Sequence, residues 1–199
     1  MALMEAARAV AQETGVASVT LTAVAGRAGV HHSAVRRYFS SHKEVLLRLA
    51  AESWQRWAAR VCTTLGEPGP KSPSRVAAAL ADGLAADPLF CDLLANLHLH
   101  LEHEVDVERV VEVKKVSTAA ATAIAEAIER VLPIDRTGAL DLLLASNSLA
   151  SSLWQIANPP EGLADAYAKE PELPPEWNLD FATALTRLLT ATCRGLLEA

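Results

Sequence analysis

An all-helical fold is what this sequence predicts, and three features carry that prediction. Alanine and leucine dominate a chain whose aromatic content is only 5%. Apolar residues recur at helical spacing, and no stretch alternates apolar and polar long enough to make a convincing strand. Capping residues, prolines and glycines divide the 199 residues into helix-sized pieces.

A first helix is expected over residues 2–13, stopped by Thr14 and Gly15. Thr20 supplies a hydroxyl N-cap for a short helix over 21–28, and Gly29 follows where a left-handed backbone is needed. A second short helix is expected over 32–39. The next starts near His42 and runs to about Thr64, where Gly66 to Pro73 break it. Four longer helices are expected at 73–86, 88–104, 107–131 and 136–157, the last three capped by Asp87, Asp106 and Asp135. Residues 158–176 read as a proline-rich loop holding one or two helical turns near 163–169. A final helix covers 178–197.

With 51% hydrophobic and 21% charged residues, the chain has ample material for a packed interior. Cys62, Cys91 and Cys193 lie far apart with no CxxC, a pattern that fits a reducing compartment. The start, MALMEAARAVAQ, has no basic run followed by an apolar one, so no signal peptide is expected. The longest charge-free stretch, 142–160, carries three residues of Asn or Gln and four serines and is too polar to favour a membrane span. A cytoplasmic protein is expected. No GxSxG, GxGxxG or Walker loop is present, and no enzyme is expected.

Charge divides the chain unevenly. Residues 1–60 hold eight Lys/Arg against four acids, a net of +4, and the remainder holds ten against twenty, a net of −10. A basic head on an acidic body points to polyanion binding at one end. The segment Thr20 to Leu47, TLTAVAGRAGVHHSAVRRYFSSHKEVLL, gives that end a shape. Leu21, Val24, Ala25 and Ala28 form the buried face of its first helix, and Val30 is expected to plug the turn. Val35, Tyr38 and Phe39 form the inward face of the second helix, at i, i+3 and i+4. His32, Ser33, Arg36 and Arg37 are left on the outer face. Such a helix-turn-helix can place its second helix in the major groove, with the arginines on phosphates or on guanine O6 and N7.

These residues resemble the DNA-binding domain of the TetR family of transcriptional repressors, over about residues 3–48. The shared order is a first helix ending in Glu13-Thr14-Gly15, a capping Thr20, AVAGRAGV, a recognition helix ending in Tyr38-Phe39, and Ser41 before the next helix. The resemblance implies that Thr20, His32, Arg36, Arg37, Tyr38, His42 and Lys43 lie at or near DNA. With Arg27, His31 and Ser33 they make the candidate DNA-contacting set. Two departures concern phosphate contacts. The family usually has a tyrosine where this chain has Arg36, and a lysine where it has His42. The first helix is expected to begin almost at Met1, so the basic arm common in the family is either missing or very short here, or the true start lies upstream. Three histidines in the face (His31, His32, His42) predict that affinity rises as pH falls, since each proton adds a phosphate-seeking charge.

The resemblance further implies two parts, a head at 1–48 and a ligand-binding, dimerising body at 49–199. The expected function is a repressor that binds a palindromic operator as a homodimer and is released by a small molecule. The rival is a helical carrier or interaction module whose head does not read DNA. Dimerisation is expected through Leu140, Leu144, Ser148 and Ser152 on one helix and Phe181, Leu185, Leu188 and Leu189 on the last. Trp54, Trp57, Phe90, Leu94, Leu97, Leu101 and Trp154 are available to line an apolar cavity, with His100 or Asn147 as polar handles. A mainly apolar or aromatic ligand is expected there. The tract His98 to Asp106 offers the pairs His98–Glu102 and His100–Glu104, but they point different ways around a helix and HEVDV is not HExxH. It reads as a partly exposed polar helix end, and no metal or cofactor is expected.

Overall fold

A computed structural model describes residues 2–102, 105–172 and 179–198, and the described residues form helices and turns without a strand. The head comprises α1 (Ala2–Thr14), a 3-10 turn (Val16–Ser18), α2 (Leu21–Ala28) and α3 (His32–Val35). The long α4 (His42–Gly66) leads into α5 (Pro73–Ala85) and α6 (Pro88–Asn96), which continues as a π-helical turn, Leu97–Leu101. The chain then forms α7 (Val107–Glu129), α8 (Arg136–Ala157), α9 (Glu161–Lys169) and α10 (Phe181–Glu198). Side-chain caps open many of these helices: Thr20, Ser41, Ser72, Asp87, Asp106 and Asp135 each accept a first-turn N–H.

Besides shifts of one or two residues at helix ends, three boundaries differ from the sequence expectation. The recognition helix is α-helical only to Val35, because the N–H groups of Arg37 and Tyr38 bond three residues back, to Ala34 and Val35. The helix expected to run unbroken over 88–104 changes to π geometry at Leu97, where the Glu102 N–H reaches back to the Leu97 carbonyl at 3.2 Å. The last helix begins at Phe181, opened by Asp180, whose Oδ1 accepts from the Thr183 N–H at 2.8 Å. Its expected start at 178 lies outside the described residues.

The helices enclose two cores. The body core takes Trp57 and Val61 from α4, Leu80 and Leu84 from α5, Ile124 and Ile128 from α7, Leu142 from α8, and Leu185 and Leu189 from α10. The head core takes Ala7 and Val10 from α1, Val24 from α2, Val35 and Phe39 around α3, and Val45, Leu46 and Leu49 from α4. The helix α6 serves both. Phe90, Cys91 and Leu94 point into the body core, while Leu89, Leu93, Leu97 and Leu101 complete the head core. Residues four apart drift around an α-helix of 3.6 residues per turn, and the wider π turn returns Leu101 to the same side. Packing therefore does not divide between residues 48 and 49.

Aromatic packing anchors α4 against α5 and α6. Trp54 and Trp57 meet edge to face with centroids 5.3 Å apart, Trp54 and Phe90 at 5.6 Å. The Trp57 indole N–H donates to the Leu80 carbonyl at 3.2 Å. Gly83 makes this approach possible, since a Cβ at that position would lie 2.7 Å from Trp57 Cδ1. Gly83→Ala is expected to destabilise the protein by about 1–3 kcal/mol through overpacking, read as a lower urea midpoint with an altered tryptophan signal. An unchanged midpoint would mean that α5 yields freely there.

Candidate nucleic-acid interface

The head is built by local rules. The Thr20 hydroxyl accepts from the Ala23 N–H at 3.1 Å and opens α2. At the far end the Gly29 N–H bonds to Gly26 and the Val30 N–H to Ala25, with Gly29 at φ 68, a left-handed stop that glycine adopts without Cβ strain. Val30 does not plug the turn as expected. Its amide is used in that stop and its side chain is 41% exposed. The α3 turn then seats Val35 and Phe39 in the head core. Tyr38, expected on the inward face, is 67% exposed. The tightened turn after Val35 rotates it outward, beside Arg36 and Arg37, where the family resemblance had placed it.

Charge accounting then separates the arginines of this region. Arg8 pairs with Glu52, Arg48 with Glu44 at 3.0 Å, and Arg56 with Asp87 at 2.7 Å. Arg27, expected among the DNA contacts, is held in a two-bond fork by Glu13 at 2.7 and 2.8 Å and ties α2 to α1. Among the described residues, Arg36 and Arg37 are exposed and without an ion-pair partner. Ser33 is exposed beside them, and His32 is half-buried. Thr20 stands at the start of α2, and His42 and Lys43 at the start of α4, so two sets of first-turn amides open near this surface.

The histidines do not act alike. His31 is the N-cap of α3, its Nδ1 accepting from the Ser33 N–H at 3.3 Å and lying 2.8 Å from Ser33 Oγ. A proton on Nδ1 removes that acceptor, so charging His31 works against the recognition helix. His42 has no such structural duty and is exposed.

The start of α4 is fastened to the body by Glu44. Only 4% exposed, its carboxylate accepts from the Ser40 N–H and Oγ–H, both at 2.9 Å, and pairs with Arg48 at 3.0 Å and with Arg109 of α7 at 3.4 Å. Burial pushes this carboxyl up, but the two Ser40 hydrogen bonds and the two guanidinium groups outweigh it, and the net shift is down. A second tie runs from the Val16 N–H to Asp92 Oδ2 on α6, at 2.8 Å.

The expected ligand set is scattered. Trp54, Trp57, Phe90 and Leu94 are packed inside the body core and Leu97 inside the head core, so these five fill space rather than line an apolar cavity. Leu101, also in the head core, touches a small opening of ≈160 Å³ beside the exposed His100, which also reaches His42. Asn147 is partly buried on α8, and its Oδ1 has no hydrogen-bond partner among the described residues. Trp154 does line a cleft, of ≈690 Å³. Of the tract considered for a metal, Glu102 pairs with Lys114 of α7, while the His98 side chain, His103 and Glu104 lie outside the described residues. No group of three or more metal-ligating side chains occurs among the described residues, and no described helix is long and apolar enough to cross a membrane.

The expected dimer face is half corrected. Leu140 and Leu144 are 44% and 66% exposed on α8, with Ser148 and Ser152 exposed in the same row. On α10, Leu185 and Leu189 are fully buried against their own subunit and cannot reach a partner. Phe181 meets Trp154 edge to face at 5.5 Å, and Leu188 is half-buried.

Comparison with known proteins agrees with this architecture. Residues 3–49 match the profile described as bacterial regulatory proteins, tetR family, and residues 51–199 match the tetracyclin repressor-like C-terminal domain. Comparison of the sequence with curated proteins gives no match. Among solved structures, the fatty acid degradation regulator FadR from Bacillus halodurans is similar at 16% identity and a TM-score of 0.61, covering 98% of this chain and 93% of that one. A TetR-family transcriptional regulator from Streptomyces coelicolor is similar at 19% identity and 0.60, covering 98% of both chains. FadR from Bacillus subtilis, solved in complex with stearoyl-CoA, is similar at 13% identity and 0.59, covering 96% and 98%. At these identities the likeness is one of fold.

The Glu44 cluster makes a pH prediction. A carboxyl held below its ordinary value of 4.5 stabilises the fold above that value, and the contribution is lost as the pH falls through the folded-state value. Glu44→Gln is expected to cost about 1–3 kcal/mol at neutral pH, and the gap to the parent protein should narrow as the pH falls below 4.5. Urea midpoints at each pH check this. A gap that stays constant would mean that the charge of Glu44 is not what fastens the helix.

Proposed function

This chain belongs to the TetR family of bacterial regulatory proteins, and from that premise we propose that it is a repressor that binds a palindromic operator as a homodimer and releases it when a small molecule binds. The observation that carries the reading is the pattern of free charge in the head. Arg8, Arg27, Arg48 and Arg56 are each paired within the protein, whereas Arg36 and Arg37 stand unpaired beside the exposed Tyr38 at the end of α3. In the proposed complex α3 enters the major groove, and Arg36 and Arg37 contact guanine edges or phosphates. Thr20, His42 and Lys43 hold the flanking backbone at the N-termini of α2 and α4.

The unpartnered Leu140, Leu144, Ser148 and Ser152 row supports a second copy packing on α8, with small residues that let the helices approach closely. Two copies related by a twofold axis present two α3 helices about 34–36 Å apart, one turn of DNA. Ligand control has a route through α6, whose two faces belong to the two cores. A molecule that favours one setting of α6 over another shifts the head between DNA-competent and incompetent arrangements.

A labelled duplex from the region upstream of the protein's own coding sequence, titrated at two salt concentrations with excess nonspecific competitor, tests the reading. Arg36→Ala/Arg37→Ala is expected to lose at least about 30-fold in affinity, and to shrink the salt slope by about 0.9 for each phosphate contact removed. An affinity that the double substitution leaves intact would refute the assignment of α3. Leu144→Arg is expected to shift the protein from dimer to monomer in sedimentation and to weaken DNA binding with it. A dimer that survives this substitution would move the interface away from α8.

A further inference from the structure

The ≈690 Å³ cleft touched by Trp154 lies between head and body. Its head wall is the end of α1 with Val16 and Ala17. Its body wall is α6 from Pro88 to Asn96 together with the end of α8 and Pro160. Its volume falls within the range of small-molecule sites. We propose that this cleft binds a small organic monocation with an apolar body, an alkyl- or arylammonium, and that such a ligand is the releasing signal; this second clause rests on the regulator reading above.

Three features converge on a cation. Among the described residues, Asp92 is the one ionisable side chain in the lining, which there holds no Lys, Arg or His. Its Oδ2 accepts the Val16 N–H at 2.8 Å and its Oδ1 the Asn96 Nδ2–H at 3.2 Å, so each oxygen keeps a further acceptor position. Two helices end at the cleft, α1 at Thr14 and α8 at Ala157, and neither has a basic residue in its last turn to answer the negative end of its dipole. The N-termini of α6 and α9 also open at the cleft. Asp87 caps α6 and pairs with Arg56. The start of α9 follows Pro160 without a side-chain cap, its partial positive charge smaller than the full charge of Asp92. Finally, Trp154 is half-buried, fixed by its edge-to-face contact with Phe181, and supplies the aromatic surface that best attracts an organic cation. Ala11, Val16 and Leu89 leave the rest of the wall apolar.

The same geometry links occupancy to the head. The Val16 amide belongs to the turn joining α1 to α2, and its bond to Asp92 is the tie between that turn and α6. An ammonium that donates to a free acceptor position of Asp92 draws charge from the carboxylate that holds Val16 and so weakens that bond. Loosening that tie frees the turn from the body, and the position of the recognition helix changes with it.

Calorimetric titration of the full chain without DNA tests the site, using the matched series 4-phenylbutylammonium, 4-phenylbutanol and 4-phenylbutyrate. The expected order is ammonium tightest, then alcohol, then carboxylate, with about tenfold or more between the first two. Asp92→Asn should bring the ammonium down to the alcohol and leave the alcohol unchanged. Gln155→Lys, at an exposed lining position, should abolish ammonium binding without altering the melting temperature. Equal binding of all three, ammonium binding that survives both substitutions, or no binding would overturn the site. Because these titrations contain no DNA, their failure is separate from failure of the operator titration. Amine binding that leaves an operator complex intact would overturn only the releasing role.

Discussion

The head of this protein cannot close its core without a helix from the body. Leu89, Leu93, Leu97 and Leu101 lie on one face of α6 and its π turn and fill the space beneath α1 and α4, while Phe90, Cys91 and Leu94 fill the body from the other face. Close-packed interiors do not deform continuously, so a displacement of α6 toward one core is felt in the other. Desolvation on the body side is evident in Cys91, whose thiol burial pushes up to about 12. The Val16–Asp92 and Glu44–Arg109 ties add polar fixings to the same joint, at the turn before α2 and at the start of α4. Orientation of the recognition helix is thus a property of the whole subunit.

Against that frame, electrostatics selects the working surface. A chain with a net charge of −6 repels DNA at long range, so binding depends on where positive charge is left free. Most arginines near the head serve as internal struts. Arg36 and Arg37 do not, and with Tyr38 they form the tight turn that follows a helix only four residues long, whose conformation rests on Thr20, Gly29 and His31 at neighbouring positions. The α3 cap is itself an imidazole nitrogen, His31 Nδ1, so one of the three histidines of the head serves the helix rather than the surface.

Much of this was legible in the residues, because local rules decide it. Thr20, Gly29, Asp87, Asp106 and Asp135 cap helices where their types and spacings place them, and the outer position of Arg36 and Arg37 followed from helical periodicity alone. What periodicity cannot state is which neighbour a buried face meets. Leu185 and Leu189 were visible as an apolar stripe, but the stripe is covered by the subunit's own helices. Trp54, Trp57 and Phe90 were visible as inward aromatics, but whether their space is a void or a packed cluster depends on Gly83, twenty-six residues along the chain from Trp57. Tyr38 was misplaced because one tightened turn after Val35 changes the angle of every residue that follows. Ion pairs between remote elements, such as Glu44 with Arg109, carry no local signature at all.

The central claim is that the Arg36–Arg37–Tyr38 surface, presented twice by a symmetric dimer, reads DNA sequence. Selection from a random duplex library tests it most directly, with the parent protein and Arg36→Ala/Arg37→Ala carried through the same rounds. The account predicts enrichment by the parent alone of an inverted repeat whose half-sites are centred about one helical turn apart. A parent pool no more enriched than that of the double variant, or one enriched in a single unrepeated half-site, would contradict it.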